Sequence, residues 1–190
     1  MPASLANAGE YGENIYDDAK ASNWARAAAK LTALKEVAKQ LRRELQGAST
    51  DEDKLDANIT ALDRAVAARD RQATMREANQ MTRVIADMTA PFNPPTPMEV
   101  TPLDYEGREL KIWSEARDAT KLKATADEMR RTWDALRPKV EARGGSGSAE
   151  AKRFANLVAR VEAAQMPDEY ARLATPLLDE VDNLEKVFKK

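Results

Sequence analysis

The chain predicts an all-α protein: two tandem up-down-up-down four-helix units, an internal duplication, joined by a proline-rich extended linker. Three observations predict it. Among 190 residues Gly is scarce (7) and aromatics make up 5%, while Ala, Leu, Glu, Lys and Arg abound, the makeup of a helical protein. Apolar residues recur at steps of three and four along most of the chain, the period of one helix face. A proline-rich stretch at 91–102 divides the chain into halves whose helix order and hydrophobic phase agree.

The expected organisation is a disordered N-terminus over 1–12, a first helical repeat over 13–90, a linker over 91–102 and a second repeat over 103–190. A short helix is expected at 13–20. The next helix carries Trp24, Ala27, Leu31, Leu34, Ala38, Leu41 and Leu45, spaced alternately three and four apart. Gly47 ends it. Ser49 and Glu52 have capping-box spacing, the hydroxyl and the carboxylate each satisfying a free backbone N–H of the following helix. That third helix carries Leu55, Ile59, Leu62 and Val66, and a break at 69–72 precedes a fourth with Ala78, Met81, Ile85 and Met88. Pro91, Pro94, Pro95, Pro97 and Pro102 lack an N–H and fix φ, so the linker reads as extended.

The second half repeats the plan. A helix at 104–117 carries Leu110 and Trp113, and the next carries Leu122, Ala126, Met129, Trp133, Leu136 and Val140. The run 144–148 reads as a flexible loop, followed by Phe154, Leu157, Val161 and Ala164 on one helix. Pro167 suits the first position of the last helix, with Asp168 and Glu169 in its favourable first turn. That helix carries Tyr170, Leu173, Leu177, Val181, Leu184 and Phe188. Pro138 and Pro176 should each kink or end a helix. Ile15-Tyr16 matches Ile112-Trp113, Leu31 matches Met129, and Arg76, Ala78, Met81 and Ile85 match Arg172, Ala174, Leu177 and Val181, all at offsets of 96–98 residues.

Composition also restricts the chemistry. Lys plus Arg (30) nearly balance Asp plus Glu (32), and the interleaved charges form no basic face for nucleic acid. There is no Cys and no His, which removes thiolate chemistry and the commonest metal ligand and general base. No nucleotide-binding glycine pattern or nucleophile elbow occurs, so the chain is expected not to be an enzyme. No apolar run is long enough to span a bilayer. Ala6-Asn7-Ala8 has the small-x-small form of a signal-peptidase site. The expectation is a periplasmic or secreted protein keeping a remnant of its export signal, the alternative being the cytoplasm.

Residues 103–188 resemble the four-helix bundles of the soluble b-type and c′-type periplasmic cytochromes. The resemblance is carried by Glu115-Ala116-Arg117-Asp118-Ala119-Thr120-Lys121-Leu122-Lys123 with Met129 downstream, and by Phe154 and the last helix. It implies a bundle fold and a periplasmic setting. The family's axial Met and His would fall near Leu103 and Lys186, neither a haem ligand, so no haem is expected and no resident cofactor is assigned.

The function expected is therefore non-catalytic: an exported bundle that binds a partner protein or a small molecule at the cleft between repeats. Trp113, Tyr105, Phe92 and Tyr16 are the candidate lining, because ligands favour domain interfaces with aromatic walls. The alternatives are a metal-binding protein, with Asp179 and Asp182 as the candidate oxygen ligands and methionine as a soft donor, and a structural subunit of a cell-envelope complex. The methionines read as flexible core fillers.

Overall fold

A computed structural model describes residues 1–45 and 52–189. Among them the chain forms eight α-helices and no strand: α1 (Ala3–Lys20), α2 (Trp24–Leu45), α3 (Glu52–Ala67), α4 (Arg71–Thr89), α5 (Val100–Ala116), α6 (Ala119–Glu141), α7 (Gly145–Ala163) and α8 (Pro167–Phe188). The chain divides into two compact units, Met1–Asn93 and Pro94–Lys190. Gly47 and Ser49, to which the sequence assigns a helix end and a cap, lie outside the described residues.

In the first unit α1 packs on α2 and α4, and α3 on both α2 and α4. The expected stripe of α2 is the observed one: Ala27, Leu31, Leu34, Ala38, Leu41 and Leu45 are all buried, and Trp24 at its start is half-buried. Met75, Met81 and Met88 are buried along α4, where a flexible thioether fills gaps between less adaptable side chains. In the second unit α5 packs on α6 and α8, and α7 on both α6 and α8. Its core centres on Trp133, whose ring lies 4.8 Å from that of Phe154.

Three helix junctions use one device. Ser22, Arg69 and Arg117 adopt φ of 59°, 52° and 56°. The N–H of each donates to a carbonyl three residues back, and the N–H of the next residue to one five back, as in Asp70 to Ala65 at 3.0 Å and Asp118 to Trp113 at 3.0 Å. These bonds satisfy carbonyls that the helix end leaves free. At two junctions the next residue then caps the following helix. Asp70 accepts from the Ala73 N–H and Asp118 from the Lys121 N–H, both at 2.9 Å, which stops one helix and starts another within three residues. A left-handed conformation costs a non-glycine residue ~1–2 kcal/mol. Glycine removes that cost and gives back ~0.5–1 kcal/mol in chain entropy. Arg69→Gly is therefore expected to raise stability by about 0.5–1 kcal/mol, read as a higher denaturant midpoint at unchanged m-value.

Three expectations are corrected and a fourth is narrowed. Residues 1–12 are not disordered: α1 begins at Ala3, with Ser4, Leu5, Ala8 and Gly12 buried. The small residues let α1 approach α4 closely, since a Cβ on Gly12 would lie 3.1 Å from the Met81 Cγ. The linker is shorter than 91–102: a 3-10 turn covers Ala90–Phe92 and α5 begins at Val100, taking Pro102 into its first turn, where the missing N–H has no helical partner to lose. The 144–148 run is not all loop, because α7 starts at Gly145. Pro138 and Pro176 end neither α6 nor α8. Both lie on exposed faces, where water can bond the carbonyl each leaves without a donor.

Candidate functional site

The corner between α7 and α8 is built by a few local bonds. Ala164 leaves the helix in an extended conformation, Met166 precedes α8, and Pro167 takes the first helical position. The Gln165 and Met166 N–H groups donate to the Glu169 carboxylate at 2.7 and 3.0 Å. Those two bonds hold the Glu169 carboxyl below the usual carboxylate range. The Tyr170 hydroxyl donates to the Ala164 carbonyl at 2.8 Å. Burial, with Asp127 and Glu169 nearby, pushes that hydroxyl above its ordinary pKa, so it remains a donor at neutral pH. With its neighbours pinned, Met166 projects at the tip and is 57% exposed.

Two clefts flank this corner and share Ala164. One, of about 390 Å³, is lined by Arg160, Ala163, Ala164, Glu169, Arg172 and Leu173. Arg160 comes from the last turn of α7 and Arg172 from the second turn of α8. Arg172 Nε donates to the Asp168 carbonyl at 3.1 Å, which fixes the guanidinium against its own helix. The Glu169 carboxylate is turned to the backbone of the corner. Two arginines and one glutamate therefore line the cleft beside apolar Ala163, Ala164 and Leu173, and a guanidinium is a donor suited to an oxyanion. The second cleft, of about 370 Å³, is bounded by Lys123, Asp127, Glu162, Gln165 and Tyr170. Glu162 there is paired with Arg130.

The sequence-predicted residues fall elsewhere. Trp113 is half-buried on α5, its indole N–H donating to Glu109 at 2.5 Å and Lys121 Nζ lying 5.6 Å from the ring centre. Tyr105 is half-buried on the same helix. Tyr16 is buried in the core of the first unit, and Phe92, in the 3-10 turn that closes it, is 36% exposed. Asp179 and Asp182 are exposed on α8, and among the described residues no three acidic side chains gather to hold a metal ion. Leu103 is fully buried and Lys186 exposed. Among the described residues no helix is long and apolar enough to cross a membrane. Sequence reasoning missed Arg160 and Arg172 because each sits in an interleaved run of charges. The available signal was their equal distance, six residues, from Met166, which sets them at one level of an antiparallel helix pair but does not fix which faces meet.

Comparison of the chain with protein-family models, with curated proteins and with solved structures gives no match.

Proposed function

We propose that the chain is two copies of one up-down-up-down four-helix unit and serves as a non-catalytic binding protein. In this reading the second copy takes an oxyanion, a carboxylate or phosphate borne by a small molecule or a partner protein, between Arg160 and Arg172. The duplication is supported by the same order of helix contacts in each unit and by the shared junction at Ser22-Asn23 and Arg117-Asp118. Buried residues also match along the last helix of each copy: Ala78, Met81 and Ile85 against Ala174, Leu177 and Val181. Antiparallel neighbours follow from the short connections. The export reading rests on a chain without cysteine; Ala6-Asn7-Ala8 lies inside α1 with Ala8 buried and lends it no support.

The observation that carries the binding reading is that Arg160 and Arg172 line one open cleft, while one oxygen of the Glu169 carboxylate beside them takes both backbone N–H bonds of the corner. Inorganic phosphate, citrate and a glutamate-rich peptide are the probes, followed through amide NMR shifts. Saturable shifts are expected, concentrated at residues 160–173, and Arg160→Ala with Arg172→Ala should weaken binding about tenfold or more as the charge-assisted bonds are lost. Shifts scattered over the surface, or unchanged affinity in the double variant, would overturn the reading. Comparing citrate with the peptide separates a small ligand from a partner chain.

A further inference from the structure

Away from that corner, α7 and α8 are joined by a cluster that the binding reading does not use. Arg153 on α7 spans two carboxylates. Its Nη2 pairs with Glu150 one turn earlier, and its Nε donates to Glu180 Oε1 on α8 at 2.9 Å. Asn183 Nδ2 donates to the other Glu180 oxygen at 3.2 Å. Glu180 is only 8% exposed, and the second Glu150 oxygen is buried with no donor reaching it. One guanidinium and one amide therefore serve two carboxyl groups, Glu180 buried and Glu150 half-buried, leaving one buried Glu150 oxygen that a proton would satisfy.

We propose that Glu150 and Glu180 form a proton-operated clasp that ties the start of α7 to α8 while one proton is shared between them and loosens when both carboxyls ionise. With the proton on Glu150, its O–H donates to Glu180, and a single negative charge faces Arg153. Without it, two like charges share one guanidinium in a partly dry site. Lys152 on α7 and Asp179 and Asp182 on α8 are exposed beside the pair, and other charges at this end have partners of their own. At the end of α6, Lys139 pairs with Glu99 from the start of α5, Glu141 with Arg137, and Arg143 lies over the Phe188 ring.

The hydrogen bond to Glu180, then burial, push the Glu150 carboxyl above its ordinary value. Burial works to raise Glu180 as well, but the bonds from Glu150, Arg153 and Asn183 outweigh it and hold Glu180 below the usual range. A group whose pKa is raised on folding stabilises fully below its unfolded value and loses that contribution as pH rises through its folded value. A group whose pKa is lowered contributes above its unfolded value and loses it as pH falls through the folded one. The pair is thus most stabilising on the acid side of neutrality, between the lowered Glu180 and the raised Glu150, and weakens toward neutral pH.

The test is amide hydrogen exchange of α7 and α8 in the full chain between pH 4 and 7.5, corrected for intrinsic exchange, with a carboxyl-carbon NMR titration of Glu150. Protection of residues around 150 and 180 is expected to fall as pH rises, in step with a Glu150 carboxyl that titrates above a free glutamate. Glu150→Gln, whose amide N–H can replace the shared proton, should keep high protection across the range. The proposal is overturned by a Glu150 carboxyl that titrates at or below the ordinary value, or by the same pH trend in the Glu150→Gln protein.

Discussion

Trp133→Ala is expected to cost about 3–5 kcal/mol, the range for removing a large aromatic from a packed core. The indole is fully buried on α6 and packs against Phe154, so its loss leaves a void that the surrounding helices can only partly close. Chemical denaturation followed by circular dichroism measures the loss, and a change below about 1 kcal/mol would remove Trp133 from the centre of the core. A second substitution separates volume from polarity. The Trp133 Nε1–H is buried without an acceptor, a state that costs ~1–3 kcal/mol. Trp133→Phe removes that donor and keeps most of the ring. It should cost at most about 1 kcal/mol, because the relieved polar penalty offsets the smaller contact area.

Gly147→Ala is expected to destabilise by about 1–3 kcal/mol, as overpacking does. Propensity alone argues for the reverse sign: alanine in a helix is favoured over glycine by ~1 kcal/mol. The local geometry decides. A Cβ on Gly147 would run into the Val140 carbonyl and come within 2.9 Å of the Arg143 Cβ. The first of these is backbone and cannot swing away, so either α7 or the end of α6 must shift. A lowered denaturant midpoint checks the expectation, and a raised one would mean that α7 begins farther from α6. The contrast with Gly107 is instructive: the nearest atoms to its added Cβ are the methyl ends of Leu178 and Leu177, which can change rotamer.

The helices that the sequence made legible are those with large apolar side chains in phase. Leu31, Leu34 and Leu41 announce α2, and Tyr170, Leu173, Leu177 and Val181 announce α8, because burial of such groups dominates folding energetics. The start of α1 keeps the phase of its later turns, with Leu5, Ala8, Gly12, Ile15 and Ala19 on one face. Alanine and glycine carry little transfer energy, however, and their contribution is to let two backbones come close, which no hydropathy pattern records. Gly147 was misread for a related reason: a glycine needed for close approach looks like one needed for a turn. Pro138 and Pro176 show a further limit, since the tolerance of a helix for proline depends on whether water can reach the freed carbonyl. Of the candidate site, the helix start at Pro167 with Asp168 and Glu169 was legible from local chemistry. The Arg160 and Arg172 pair required knowing which faces of α7 and α8 meet, and that is set by tertiary packing.

The glycine and alanine face of α1 bears on how the chain tolerates trimming. Gly9 lies against Ile85, and Gly12 against Met81, both on the α4 stripe that continues to Met88. A molecule clipped behind Ala8 would lose Leu5 from the core and part of the cover over α4, uncovering a strip of methyl and thioether groups. Such a strip is adhesive toward other chains. Keeping these molecules apart in a crowded solution therefore falls in part to a segment whose side chains are among the smallest available.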